Sequence, residues 1–181
     1  MSLLLAASKL YVPGFIQSRK LNMLFDATAS AFQTAAPPTQ GLDINDRLKS
    51  YALFTREQAL KSIQQRNEHE VQCRLFENAY RIGLQFRKDF GIKTPIEVMQ
   101  MGTVIYKLIK IDFRGETSGN IKIKRCFFSK YYSADICRVI SSLDAGLLSG
   151  LSDGGHFVFT QRITEGKKCC IARLEKTGVQ Q

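Results

Sequence analysis

The feature that most constrains this chain is a change of hydrophobic period near residue 108. Upstream, apolar residues recur at spacings of three and four. Downstream, Ile109, Ile111 and Phe113 alternate with Lys110, Asp112 and Arg114, and Ile121 and Ile123 alternate with Lys122 and Lys124. The first pattern gathers apolar side chains on one side of a helix; the second gathers them on one face of a strand. A chain that carries both must lay helices on a sheet, so an α+β fold is expected.

The elements follow from this reading. Leu21, Leu24, Phe25, Ala29 and Phe32 mark one helical face within Ser8 to Gln33. Ala35-Ala36-Pro37-Pro38-Thr39-Gln40-Gly41 then ends the helix as a linker. Asp46 to Phe54 reads as a short helix. Thr55-Arg56-Glu57-Gln58 has the form of a capping box, and the stripe Ala59, Ile63, Val71, Leu75, Ala79, Ile82, Phe86, Phe90 runs on to Gly91. Unbroken, a helix of that length would span about 50 Å. The wholly polar stretch Gln64 to Glu70 therefore either breaks it or leaves its first half projecting towards a partner, and a homodimer is the expectation drawn from the second case.

Thr94-Pro95-Ile96-Glu97 combines an N-cap, a proline at the first helical position and a glutamate three residues on. A hairpin follows, turning at Glu116 to Asn120. Ser133 caps a further helix running to Leu148 or Leu151. A second hairpin joins Phe157–Ile163 to Cys170–Leu174. The expected architecture is N-terminal helices, then helix, two strands, helix, two strands, forming a four-stranded antiparallel sheet with helices on one face. Residues 1–54 are expected as an N-terminal helical arm and residues 55–181 as an α+β small-molecule-binding domain.

Composition narrows the function classes. The 181 residues are 44% hydrophobic and 23% charged, an ordinary globular balance. No apolar run reaches the roughly 18 residues that a membrane span needs, so no stable membrane insertion is expected. Met1-Ser2-Leu3-Leu4-Leu5-Ala6-Ala7 lacks a basic flank and reads as a short amphipathic helix; the chain is read as cytoplasmic. The net charge of +10 is spread out, with 13 basic and 9 acidic residues before position 101 and 13 and 7 after it. Nucleic-acid binders concentrate such charge on one face, so no nucleic acid is expected as a partner.

Chemistry concentrates in the C-terminal half. Of five cysteines, Cys126 ends a strand, Cys137 lies in the next helix's first turns, and Cys169 and Cys170 open the last strand. A helix packed on the sheet can bring Cys126, Cys137 and Cys170 to one point. There they can be small buried side chains, metal ligands with zinc as the ion, or reactive thiols. Cys137 is the candidate nucleophile, because helix N-termini favour thiolates. Asp144 sits in an apolar stretch and must face water or find a partner, with Arg162 the candidate. Gly146 and Gly150 allow that helix to approach the sheet or a ligand closely. His156 at a strand start, and Tyr131 and Tyr132 in an aromatic cluster, are candidate ligand contacts.

The stretches RCFFSKYYSADICRVISSLDAGLLSGL and FTQRITEGKKCCIARL resemble the 4-vinyl reductase domain family over roughly residues 75–175. They are also similar to the L-2-amino-thiazoline-4-carboxylic acid hydrolase family. The shared features are Cys126 after a strand, Cys137 in the following helix, and Gly166 with Cys170 in a closing hairpin. Asp144 to Leu151 matches the glycine-rich helix of the vinyl-reductase type, and Arg162-Ile163-Thr164 resembles the hydrolase type. The resemblance implies an α+β fold, a small-molecule pocket between helices and sheet, and metal binding by Cys126, Cys137 and Cys170. The alternative it implies is a hydrolase acting on a small C–N or C–S ring through Cys137, Asp144 and Arg162.

Overall fold

The structure, a computed structural model, describes residues 14–175. The amphipathic segment expected at Met1 to Ala7 lies outside the described residues. Among these residues four helices come first: α1 (Gly14–Ala31), α2 (Ile44–Gln64), α3 (Glu68–Phe90) and α4 (Pro95–Leu108). A hairpin of β1 (Ile111–Gly115) and β2 (Asn120–Cys126) follows, then α5 (Ala134–Ile140) and α6 (Ser142–Ser152). The second hairpin is β3 (His156–Gln161) and β4 (Cys170–Glu175). The strands form one antiparallel sheet in the order β1-β2-β4-β3, with Phe113 opposite Ile123, Ile123 opposite Cys170 and Phe159 opposite Ala172.

Local chemistry explains most boundaries. Asp43 starts α2 by accepting the N–H groups of Asn45 and Asp46 at 2.7 and 2.9 Å. Thr94 and Glu97 form the expected reciprocal cap of α4 behind Pro95. Gly91 closes α3 at φ 61°, and Ser133 caps α5. Alternation in β1 and β2 buries Ile111, Phe113, Ile121 and Ile123 towards the helices and leaves Lys122 and Lys124 in water.

Three expectations meet the structure in this helical half. Thr55 does not begin a helix. It lies in the middle of α2, buried, with its hydroxyl donating to the Tyr51 carbonyl at 2.8 Å. Of the two alternatives for the long helix towards Phe90 the break is the one found, at Gln65–Asn67 within the polar stretch, where Arg66 turns to φ 57°. No projecting helix forms between Thr55 and Phe90, so the ground for expecting a homodimer is gone. The boundary expected at residue 54 also falls within α2, and Leu21, Phe25, Leu48 and Tyr51 share one core with Leu75, Leu148 and Phe157.

The closest contact between layers is the crossing of α3 and α6. A Cβ on Gly146 would stand 2.1 Å from the Phe76 carbonyl oxygen, and one on Gly150 would stand 2.2 Å from that of Tyr80. Gly83 returns the contact, its missing Cβ 2.3 Å from the Leu147 carbonyl oxygen. Helix backbones touch here, which only glycine permits. The approach expected of Gly146 and Gly150 is therefore towards α3, not towards the sheet or a ligand.

Candidate functional site

At one end of the sheet lie the start of β1, the end of β2 and the start of β4. Helices α1 to α6 stand around these strand ends and line a cavity of about 1110 Å³, counting the open space at its mouth. The wall is almost wholly apolar. Leu21 and Leu24 come from α1, Phe86 from α3, Ile105 from α4, Ile140 from α5 and Leu147 from α6.

Among the described residues, one charged side chain lines it. Asp144, in the first turn of α6, accepts a hydrogen bond from the Tyr106 hydroxyl of α4 at 2.7 Å. Burial pushes the Asp144 carboxyl up to about 6, against the lowering effects of the Tyr106 hydrogen bond and the Arg162 charge. The dependence is mutual: burial first, then the Asp144 charge, holds the Tyr106 phenol well above its usual range. Tyr106 is fixed in turn by stacking on Phe113, with ring centroids 4.7 Å apart.

The three thiols converge here. Cys126, Cys137 and Cys170 all line the cavity. Burial pushes Cys126 up to about 12, opposed by the backbone N–H groups of Phe128 and Ser129. Burial also raises Cys137, opposed by the Thr164 hydroxyl, and Cys170, opposed by the Ile163 N–H, which donates to its sulfur at 3.3 Å. All three are neutral thiols near pH 7. Among the described residues, no three His, Cys, Asp or Glu side chains are placed to hold one metal ion. The zinc expectation for Cys126, Cys137 and Cys170 thus gains nothing from their arrangement.

The other expected residues divide. Tyr132 lines the cavity, and its hydroxyl meets the Thr55 hydroxyl at 2.5 Å. Tyr131 packs instead on Phe127, with Lys130 5.0 Å from its ring centre. His156 is exposed at the start of β3, away from the cavity. Arg162 makes no ion pair with Asp144. Its guanidinium lies 4.7 Å from the Phe159 ring centre, donates to the Ser141 hydroxyl at 3.3 Å and faces Glu165 at 3.9 Å. It reaches Asp144 only as a nearby charge.

Sequence reasoning misses Tyr106 and the wall supplied by α1. A phenol on the buried face of α4, beside Val98, Met99 and Met101, is the one signal that points to Tyr106, since a buried hydroxyl needs a partner. For α1 the sequence carried no signal beyond an apolar face. No protein-family model, curated protein or solved structure matches the chain, so this arrangement of Asp144, Tyr106 and three thiols in an apolar cavity is what its function has to be read from.

Proposed function

We propose that this protein is a small-molecule-binding domain of the vinyl-reductase type, which holds an apolar ligand in the cavity at the end of its sheet. The observation that carries the reading is the cavity itself: a mainly apolar wall with a few polar groups and the Asp144 carboxylate, which is the usual make-up of a ligand site. Side chains from Leu21 to Cys170 are committed to it, and a fold built only for stability gains nothing by keeping Asp144 inside at a raised pKa. The test uses the neutral dye Nile red. The wild-type chain is expected to bind it with enhanced fluorescence, and Ile105→Trp, which fills the cavity, to lose that binding while keeping its circular dichroism spectrum. Equal binding by both proteins would place the dye elsewhere and remove the reading.

A second reading, a hydrolase of the thiazoline-carboxylate hydrolase type, is favoured by one observation. An acid near 6 is suited to proton transfer at neutral pH. Two others weigh against it. The thiol of Cys137 is raised rather than lowered, which weakens it as a nucleophile. A carboxylate substrate would also meet Asp144 in a cavity whose described lining contains no lysine, arginine or histidine.

A further inference from the structure

The polar groups of the cavity can be followed proton by proton. The Thr28 hydroxyl donates to the Leu24 carbonyl at 2.7 Å, so the Tyr51 phenol, 2.8 Å away, gives its own proton to Thr28. The Thr55 hydroxyl donates to the Tyr51 carbonyl, so Tyr132 gives its proton to Thr55. Tyr106 donates to Asp144, Ser129 to the Cys126 carbonyl at 2.8 Å, and Ser141 to the Arg138 carbonyl at 3.1 Å. Every tyrosine and serine proton among the described residues of the wall is therefore spent. The donors that remain there are three thiols, which are weak, and the Thr164 hydroxyl, which is turned to Cys137.

The acceptors are not spent. Asp144 uses one carboxylate oxygen for Tyr106, and no donor among the described residues meets the other. The described residues lining the cavity include no cation, and the nearest, Arg162, is held by Ser141, Phe159 and Glu165 outside it. An anionic head placed here would face a carboxylate with no strong donor to receive it. A cationic head would find an unmatched negative charge in a low-dielectric pocket, where such pairing is strong.

We propose that the cavity selects molecules with a protonated amine on an apolar body, the nitrogen resting against the second carboxylate oxygen of Asp144. This rests on the ligand-binding reading of the cavity and gives it a ligand class. The amine donates to Asp144, and the apolar body lies along Leu21, Leu24, Phe86, Ile105 and Leu147. The groups facing Asp144 are the Tyr106 phenol from α4, the Tyr51 phenol from α2, the thiols of Cys126, Cys137 and Cys170, and the Arg162 guanidinium. Of these groups, Asp144 alone changes charge as pH falls from neutrality towards 5. Binding of an amine is therefore strongest above about 6 and weakens below it as Asp144 takes up its proton.

Competition against Nile red with octylamine, 1-octanol and octanoate tests this, the three probes sharing one apolar body. At about pH 7.5 octylamine, fully protonated there, is expected to displace the dye at a concentration about ten-fold lower than either of the others. That advantage is expected to shrink as pH falls through about 6, and to vanish in Asp144→Asn. Octylamine binding no better than octanol would overturn the amine selectivity, and so would octanoate binding best below about pH 6, while both leave the cavity a ligand site. Dye that binds but yields to none of the three probes overturns the amine proposal alone. Failure of the dye itself to bind overturns the ligand reading, and the amine proposal with it.

Discussion

At the scale of the residue, Asp144 decides most. Its carboxyl lies above its unfolded value of 3.8, at about 6, because burial penalises the charged form. The sign of the linkage is the reverse of the usual carboxylate case. Between about 4 and 6 the folded chain binds more protons than the unfolded one, so stability falls as pH rises through that window. The loss amounts to about 2 kcal/mol. Asp144→Asn, which keeps an acceptor for Tyr106 and has no charge to bury, is expected to abolish the decline and to unfold at higher urea than wild type at neutral pH. Urea titrations of both proteins across the window measure this; parallel curves would show that Asp144 is effectively solvated. Tyr132 makes a second case. Tyr132→Phe removes the bond to Thr55, yet Thr55 keeps the Tyr51 carbonyl as its own acceptor, so the cost is expected to be only about 1 kcal/mol by the same titration.

The elements are held by short-range chemistry of two kinds. The capped start of α4 is the ordinary kind, in which Thr94 and Glu97 satisfy backbone N–H groups that the helix leaves free. The α3–α6 crossing is the other. Glycine inside a helix costs about 1 kcal/mol relative to alanine, so Gly146 and Gly150 would weaken α6 if they had no packing role. They have one: each removes a Cβ that would collide with a carbonyl oxygen of α3. Gly150→Ala is therefore expected to destabilise the chain by about 3 kcal/mol despite its better helix propensity. Chemical denaturation decides between the two effects, since a gain in stability would mean the helices separate at no cost. The crossing also serves the cavity, because α6 carries Leu143, Asp144 and Leu147 into it from the same helix that Gly146 and Gly150 press onto α3.

For the whole molecule, the cavity is a product of assembly. It draws on all six helices from α1 to α6 and on strand ends from Ile111 to Cys170. Its thiols should report that assembly. Cys73 is exposed on α3, whereas Cys126, Cys137 and Cys170 face the interior with raised pKa. Brief alkylation of the folded chain, read by mass spectrometry, is expected to label Cys73 first and the three cavity thiols slowly. Octylamine in the cavity should slow Cys137 further and leave Cys73 unchanged; equal labelling of all sites would mean that the cavity opens freely.

What was legible in the sequence was what is local. The change of period near residue 108, the cap at Thr94, the stop at Gly91 and the turn at Glu116–Asn120 each reflect free energies settled within a few residues, and each appears in the fold. The convergence of cysteines was inferable only because alternation along a strand and the direction of a hairpin place Cys126 and Cys170 at one end of a sheet. Tertiary structure decided the rest. Thr55 satisfies every local rule for an N-cap, but its hydroxyl is taken by Tyr51 and by Tyr132, 77 residues away, and the helix runs through it. Arg162 was the natural partner for Asp144 by charge, yet Tyr106 holds that place, because which side chain reaches a buried carboxylate depends on how α4 and α6 pack and not on spacing along the chain.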